Sequence, residues 1–127
     1  MRMAARVLVI DDEPMIRWSI ARTLQASGHE VTVCDSAAEG MALFRLLHPQ
    51  VVLVDLRLPD ANGATLVRAI HGESGQKTPI IVMTAFEEDC SAEAAMQLGA
   101  FAYLRKPFDF DALDGLVRRA LQARLEA

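Results

Sequence analysis

Apolar runs and helical stripes alternate along the whole of this chain. Runs such as Val7-Leu8-Val9-Ile10 and Val51-Val52-Leu53-Val54 read as strands buried on both faces. The pattern predicts strands over 6–10, 30–34, 51–55, 79–83 and 101–105. It predicts helices over 14–27, 36–47, 62–73, 87–98 and 110–125. In the first helix Ile16, Ile20 and Leu24 share one stripe, and Gly28 stops it. Ser36-Ala37-Ala38-Glu39 is a capping box for the second, which carries Met41, Phe44 and Leu47 until Pro49 bars continuation. The third follows Asn62-Gly63 and buries Leu66, Val67 and Ile70. The fourth is Ala-rich, with Ala92, Ala95, Met96 and Leu98, and ends at Gly99. Asp109 caps the fifth, with Leu113, Leu116, Val117, Ala120 and Leu121 on its apolar face. Strict strand–helix alternation argues a doubly wound α/β fold, with a parallel sheet, right-handed crossovers and helices on both faces. No repeat, linker or low-complexity tract interrupts it, so 1–127 reads as one domain.

Composition narrows the function classes. The chain has 127 residues, is 52% hydrophobic and carries a net charge of -4. That is enough chain for a sizeable core. The mild acidity gives no electrostatic footprint for nucleic acid or an anionic membrane. No apolar run approaches the roughly 20 residues of a spanning helix, and the N-terminus lacks a secretory segment. Cys34 and Cys90 have neither metal-ligand nor disulfide-framework spacing. They read as free thiols in a reducing cytosol, and the expected location is cytoplasmic.

In an open parallel sheet, the functional crevice lies beyond the carboxyl ends of the strands. Those ends carry Asp11-Asp12, Asp55, Thr84 and Lys106. The second strand offers only Cys34-Asp35, which suggests an outer position. A bare carboxylate closing a buried strand is costly unless it is used. Three acids suit Mg²⁺, which prefers oxygen ligands, and the cation lets like charges share a site. Lys106 and Thr84 can then address a phosphoryl group on one carboxylate, since an aspartyl phosphate is a recognised covalent species. Catalysis there would be mainly positioning and charge neutralisation.

The same residues stand in motifs. Val9-Ile10-Asp11-Asp12-Glu13, Val54-Asp55-Leu56-Arg57-Leu58-Pro59-Asp60, Asn62-Gly63, Met83-Thr84-Ala85, Gly99-Ala100 and Lys106-Pro107-Phe108 follow in register. In that order they resemble the receiver domain of two-component response regulators, the family of the bacterial chemotaxis regulator. The likeness covers essentially the whole chain. It implies a flavodoxin-like (βα)5 fold with strand order 2-1-3-4-5. It implies that Asp55 accepts a phosphoryl group from a sensor histidine kinase or phosphotransfer protein. By the same resemblance, Mg²⁺ is held by Asp12 directly, by Asp11 through water, by Asp55 and by the Arg57 carbonyl. Lys106 pairs with the phosphoryl oxygens, and its bond to Pro107 is cis in the family. Thr84 moves to the phosphoryl group, and Tyr103 matches the family's rotating aromatic. Together they relay the change to the face built by the fourth helix, fifth strand and fifth helix, where an output domain or partner sits. The stretch from Phe108 to Leu121 resembles receivers of NtrC-type transcriptional activators, which join an ATPase and a DNA-binding domain. An excised receiver and a stand-alone regulator are both compatible with this chain, and neither binds nucleic acid through this domain.

Other positions carry plainer readings. Glu13 is open to two readings, a member of the metal site or, more plainly, a first-turn acid; Asp60 and Asn62-Gly63 read as turn chemistry. Trp18 is expected under partial cover from a neighbouring helix. Met15, Ser19 and Arg22 lie where the family docks its kinase, though singly they read as ordinary surface. Arg57 and Phe86 are expected to flank the phosphoryl site and slow self-dephosphorylation. Arg118, Arg119 and Arg124 opposite Glu87, Glu88, Asp89 and Glu93 suggest ion pairs of a phosphorylation-dependent homodimer; solvated helix faces are the plainer reading. Two further functions compete with the switch. A hydrolase of haloacid dehalogenase type needs an acid two residues after the nucleophile, where this chain has Arg57. A degenerate receiver used only for interaction is opposed by the intact Asp55, Asp12, Thr84 and Lys106.

Overall fold

The computed structural model describes residues 4–86 and 90–126. The strands are β1 (Arg6–Ile10), β2 (Glu30–Cys34), β3 (Val51–Asp55), β4 (Ile80–Thr84) and β5 (Ala102–Arg105). The helices are α1 (Pro14–Ala26), α2 (Ala37–Leu47), α3 (Gly63–Glu73), α4 (Ala92–Gln97) and α5 (Phe110–Glu126). All strand pairs are parallel, in the order β2-β1-β3-β4-β5 expected from the sequence.

The alternating faces of the buried strands build two cores. Leu8, Ile10, Val52, Val54, Ile80 and Val82 pack against Phe44, Leu66, Val67, Ile70 and Ala95 of α2, α3 and α4. Val7, Val9, Val51, Leu53, Ile81 and Met83 pack against α1 and α5 through Ile20, Leu24, Leu113, Val117 and Leu121. With helices on both faces, β3 and β4 have no exposed position, which is why their sequences run apolar without alternation. The edge strands β2 and β5 keep partly exposed positions. Register puts Ile10 beside Val54 and Asp55 beside Met83, so the carboxyl ends of β1, β3 and β4 finish level.

Helix ends follow local capping chemistry. Asn62 accepts from Ala64 N–H at 2.8 Å and starts α3. Ser36 Oγ accepts from Glu39 N–H at 3.2 Å, the N-cap half of the expected box. The fourth helix is shorter than the Ala-rich pattern suggests. Ser91 caps it by accepting from Ala94 N–H at 3.1 Å, so α4 begins at Ala92 and Cys90 precedes it. Residues 87–89 of the expected helix lie outside the described residues. Trp18 is 57% exposed, and the Arg22 guanidinium of its own helix lies 5.1 Å from the ring centroid. Cys34 and Cys90 are free and buried, and burial, with Glu39 nearby, raises the Cys34 thiol to about 11. Among the described residues, no helix is long and apolar enough to cross a membrane.

Candidate functional site

The level strand ends bring the chemistry-bearing residues together. Asp11 directly follows β1 and is fully buried, while Asp12 beside it is exposed. Asp55 closes β3 and Thr84 closes β4, both buried. Lys106 follows β5 and is anchored by its backbone N–H donating to the Thr84 carbonyl at 2.8 Å. The Lys106–Pro107 peptide is cis.

Lys106 Nζ is the centre of the site. It donates to Asp11 Oδ2 at 2.7 Å, to Asp55 Oδ2 at 2.9 Å and to Glu13 Oε1 at 3.0 Å. The Lys106, Asp11 and Asp55 side chains are 6%, 0% and 6% exposed, so the inner pairs are shielded from water. Burial raises Asp11 to about 6, although the Lys106 hydrogen bond pulls the other way. Burial alone would lower Lys106, but its hydrogen bonds to the three carboxylates outweigh that and raise it. Both groups rise because Lys106 faces several acids, whereas buried Asp11 shares a single ammonium.

One carboxylate oxygen from each of Asp11, Asp12 and Asp55 lies within 4.8 Å of the others. An all-oxygen set at this spacing, beside three carboxylates gathered on one ammonium, fits a hard divalent cation such as Mg²⁺. The remaining Asp55 oxygen, Oδ1, accepts from Arg57 N–H at 3.1 Å, and Asp11 Oδ1 accepts from Glu13 N–H at 2.9 Å. Gly63 packs directly beneath the end of β3. A Cβ there would lie 2.5 Å from the Asp55 carbonyl oxygen and 2.6 Å from Leu56 Cα.

The loops after β3 and β4 meet through their side chains. The Arg57 guanidinium lies 3.4 Å from the centroid of the Phe86 ring. Thr84 Oγ1 accepts from Phe86 N–H at 3.0 Å and donates to the Phe86 carbonyl at 3.3 Å. Tyr103 on β5 is half-buried, and its hydroxyl donates to the Cys90 carbonyl at 3.1 Å. Tyr103 thus reaches the start of α4 rather than the carboxylates.

Two acids read as local chemistry do more. Glu13 is the residue before α1, yet its side chain makes no cap and bonds Lys106 instead. Its place directly after Asp11-Asp12 was the available signal. Asp60 accepts from Ala37 and Ala38 N–H of α2, at 2.8 and 2.9 Å, and these bonds hold its carboxyl below the usual range. Arg17, which no motif marks, donates to the Asp11 carbonyl at 2.9 Å. On α5, Arg118 pairs with Asp114 of its own helix at 3.2 Å.

A family model described as response regulator receiver domain matches residues 7–118. The chain is similar to the regulatory protein AtoC of Escherichia coli K12, 37% identical over 117 residues, covering 92% of this chain and 25% of that protein. It is 38% identical over 115 residues to the DNA-binding transcriptional regulator NtrC of the same organism, covering 91% and 24%. The chain therefore spans about a quarter of the length of these curated relatives. Among solved structures, a CheY-like receiver domain protein from Methanospirillum hungatei JF-1 superposes with a TM-score of 0.90 at 26% identity, covering 98% of both chains. NtrX from Brucella abortus gives 0.88 at 30% identity, covering 96% of this chain and 28% of that one.

Proposed function

The chain belongs to the response regulator receiver domain family, and on that footing we propose that it is a phosphorylation-driven switch whose phosphoryl acceptor is Asp55. The observation that carries the reading is the Lys106 ammonium bound to both Asp55 and Asp11, with Asp12 completing the acidic cluster. Burying two carboxylates on one cation costs desolvation that a well-packed apolar core would avoid, which favours a functional reason for the cluster.

Asp11, Asp12, Asp55 and the Arg57 carbonyl would hold Mg²⁺, which supplies neutralisation of the carboxylate and phosphoryl charge. An Asp55 carboxylate oxygen attacks the phosphorus of a phosphohistidine on a sensor kinase or phosphotransfer protein. The new O–P bond forms as the P–N bond breaks, and the departing imidazole keeps the electron pair and takes a proton from solvent. Lys106 stays at the site and pairs with the incoming phosphoryl oxygens. The phosphoryl group brings roughly -1.5 to -2 charge. The Thr84 hydroxyl, bound here to the Phe86 backbone, is drawn from that partner to a phosphoryl oxygen. Tyr103, tied to the Cys90 carbonyl, passes the rearrangement to the face of α4, β5 and α5. An output domain of NtrC type, or a second copy of the chain, engages that face. A second copy would use Arg119 and Arg124 with Glu93. Arg57 and Phe86, in contact with each other on the loops after β3 and β4, keep attacking water out and lengthen the phosphorylated lifetime. The switch works in the cytoplasm, where its kinase has ATP.

The test is acetyl phosphate with Mg²⁺ and intact-mass analysis. The chain should gain one phosphoryl group, lose the response with EDTA, and give none as Asp55→Asn. Continuous release of phosphate from small phosphate esters would instead favour a hydrolase. No mass change with acetyl phosphate, and no spectral change with beryllofluoride, would favour a receiver used only for binding.

A further inference from the structure

We infer that Asp60 is a positioning residue for the acidic site, acting through the loop that carries Arg57; this rests on the proposed role of the Arg57 carbonyl as a metal ligand. The loop runs from Leu56 to Asn62, between β3 and α3. Its base is closed by local bonds. Gly63 N–H donates to the Leu56 carbonyl at 2.9 Å, and Arg57 and Asn62 form an antiparallel bridge. Arg57 N–H is further held by Asp55. Leu56 N–H also donates to the Met83 carbonyl at 3.1 Å, and the Arg57 guanidinium meets the Phe86 ring. Asp60 ties the segment after Arg57 to a third element, with its two carboxylate oxygens on the Ala37 and Ala38 N–H groups, more than twenty residues away in sequence.

The arrangement is specific to a carboxylate. The first N–H groups of a helix have no internal partner and sit at the positive end of its dipole. Ser36 Oγ takes the N–H of Glu39, and Asp60 takes those of Ala37 and Ala38. The two donors reach two separate oxygens, and an amide would turn an NH₂ donor toward one of them. Asp60 is not part of the Asp11–Asp12–Asp55 cluster. It acts three residues from Arg57, by clamping the loop to α2. The Arg57 carbonyl is thereby held between the Asp55 contact on one side and the α2 clamp on the other.

Loss of a group that orients a metal ligand typically weakens metal binding tenfold or more. Ser36→Ala is the matching control, because it removes a cap from the same helix without touching the loop. Mg²⁺ is titrated into the full chain, following backbone amide NMR shifts around 11–13 and 55–57, with urea unfolding measured in parallel without metal. Asp60→Ala should raise the Mg²⁺ dissociation constant about tenfold, and Asp60→Asn should do so less. Ser36→Ala should lower stability and leave Mg²⁺ affinity unchanged. If Asp60→Ala lowers stability but binds Mg²⁺ as tightly as the parent, Asp60 is only a helix cap and the inference falls. If Ser36→Ala weakens Mg²⁺ equally, the effect comes from α2 rather than the loop, and the inference falls. If the parent chain shows no Mg²⁺-dependent shifts at these residues, the metal reading fails and takes the inference with it.

Discussion

Replacing Lys106 with methionine isolates the electrostatics of the site. Methionine keeps most of the length and apolar stem of the lysine and removes only the ammonium. That ammonium lies 2.7 Å from an Asp11 oxygen and 2.9 Å from an Asp55 oxygen, on side chains 0% and 6% exposed. Without it two buried carboxylates face each other unpaired. Breaking a buried pair by removing one partner costs about 3–5 kcal/mol. The lower end applies here, because exposed Asp12 and half-exposed Glu13 bring water to the rim. A loss of about 3 kcal/mol corresponds to roughly 10 °C in Tm for a domain of this size. The loss depends on pH with a definite sign. Asp11 has a folded pKa of about 6, above its ordinary value of 3.8. Its ionisation therefore costs stability progressively as pH rises from about 4 to about 6, and Lys106→Met enlarges that cost. Urea unfolding by circular dichroism, in EDTA at pH 5 and pH 8, reads the effect. The variant should trail the parent clearly at pH 8 and much less at pH 5, and Mg²⁺ should restore part of the gap. A variant as stable as the parent at pH 8, or one worse at pH 5, refutes the reasoning.

Gly63→Ala should cost about 1–3 kcal/mol, because its Cβ meets the Asp55 backbone, which cannot move aside as a flexible side chain would; a urea midpoint equal to the parent's contradicts this. Arg57→Ala and Phe86→Ala should each shorten the half-life of the phosphorylated chain, measured by loss of label, since each removes half of the Arg57–Phe86 contact proposed to shield Asp55; unchanged half-lives end the shielding account. Asp60 has a carboxyl held low by the Ala37 and Ala38 N–H groups, so its stabilisation is present above its ordinary pKa of 3.8 and is lost as pH falls through the lower folded value. Asp60→Asn should therefore flatten the acid limb of the stability–pH curve, and an unchanged limb would show that the bonds do not persist in solution.

The architecture was readable because β1, β3 and β4 lie between two helical layers, and such strands must be apolar throughout. Their carboxyl ends then named Asp11, Asp12, Asp55 and Thr84 without any knowledge of side-chain geometry. The start of α4 was less readable. The acidic residues before the alanines suit a helix's first turn as well as a loop, and the decisive event is a single serine cap at Ser91. Trp18 lies off the apolar stripe and meets a cation of its own helix, Arg22, a contact that the stripe argument does not address. Asp60 and Glu13 were visible as acids but not as what they do. Each makes its defining bonds across more than twenty residues of sequence, to α2 and to Lys106. The Arg57–Phe86 stack is of the same kind. Both residues were marked by their spacing from Asp55 and Thr84, but their face-to-ring contact exists only once β3 and β4 are paired.

The central claim is that the carboxylate of Asp55, and no other acid at the strand ends, becomes phosphorylated. Borohydride reduction of the acetyl-phosphate-treated chain converts an aspartyl phosphate to homoserine, and peptide mass spectrometry then locates it. The account predicts homoserine at position 55, dependent on Mg²⁺ and greatly reduced in Lys106→Met. Homoserine at position 11 or 12 with position 55 unmodified would contradict it.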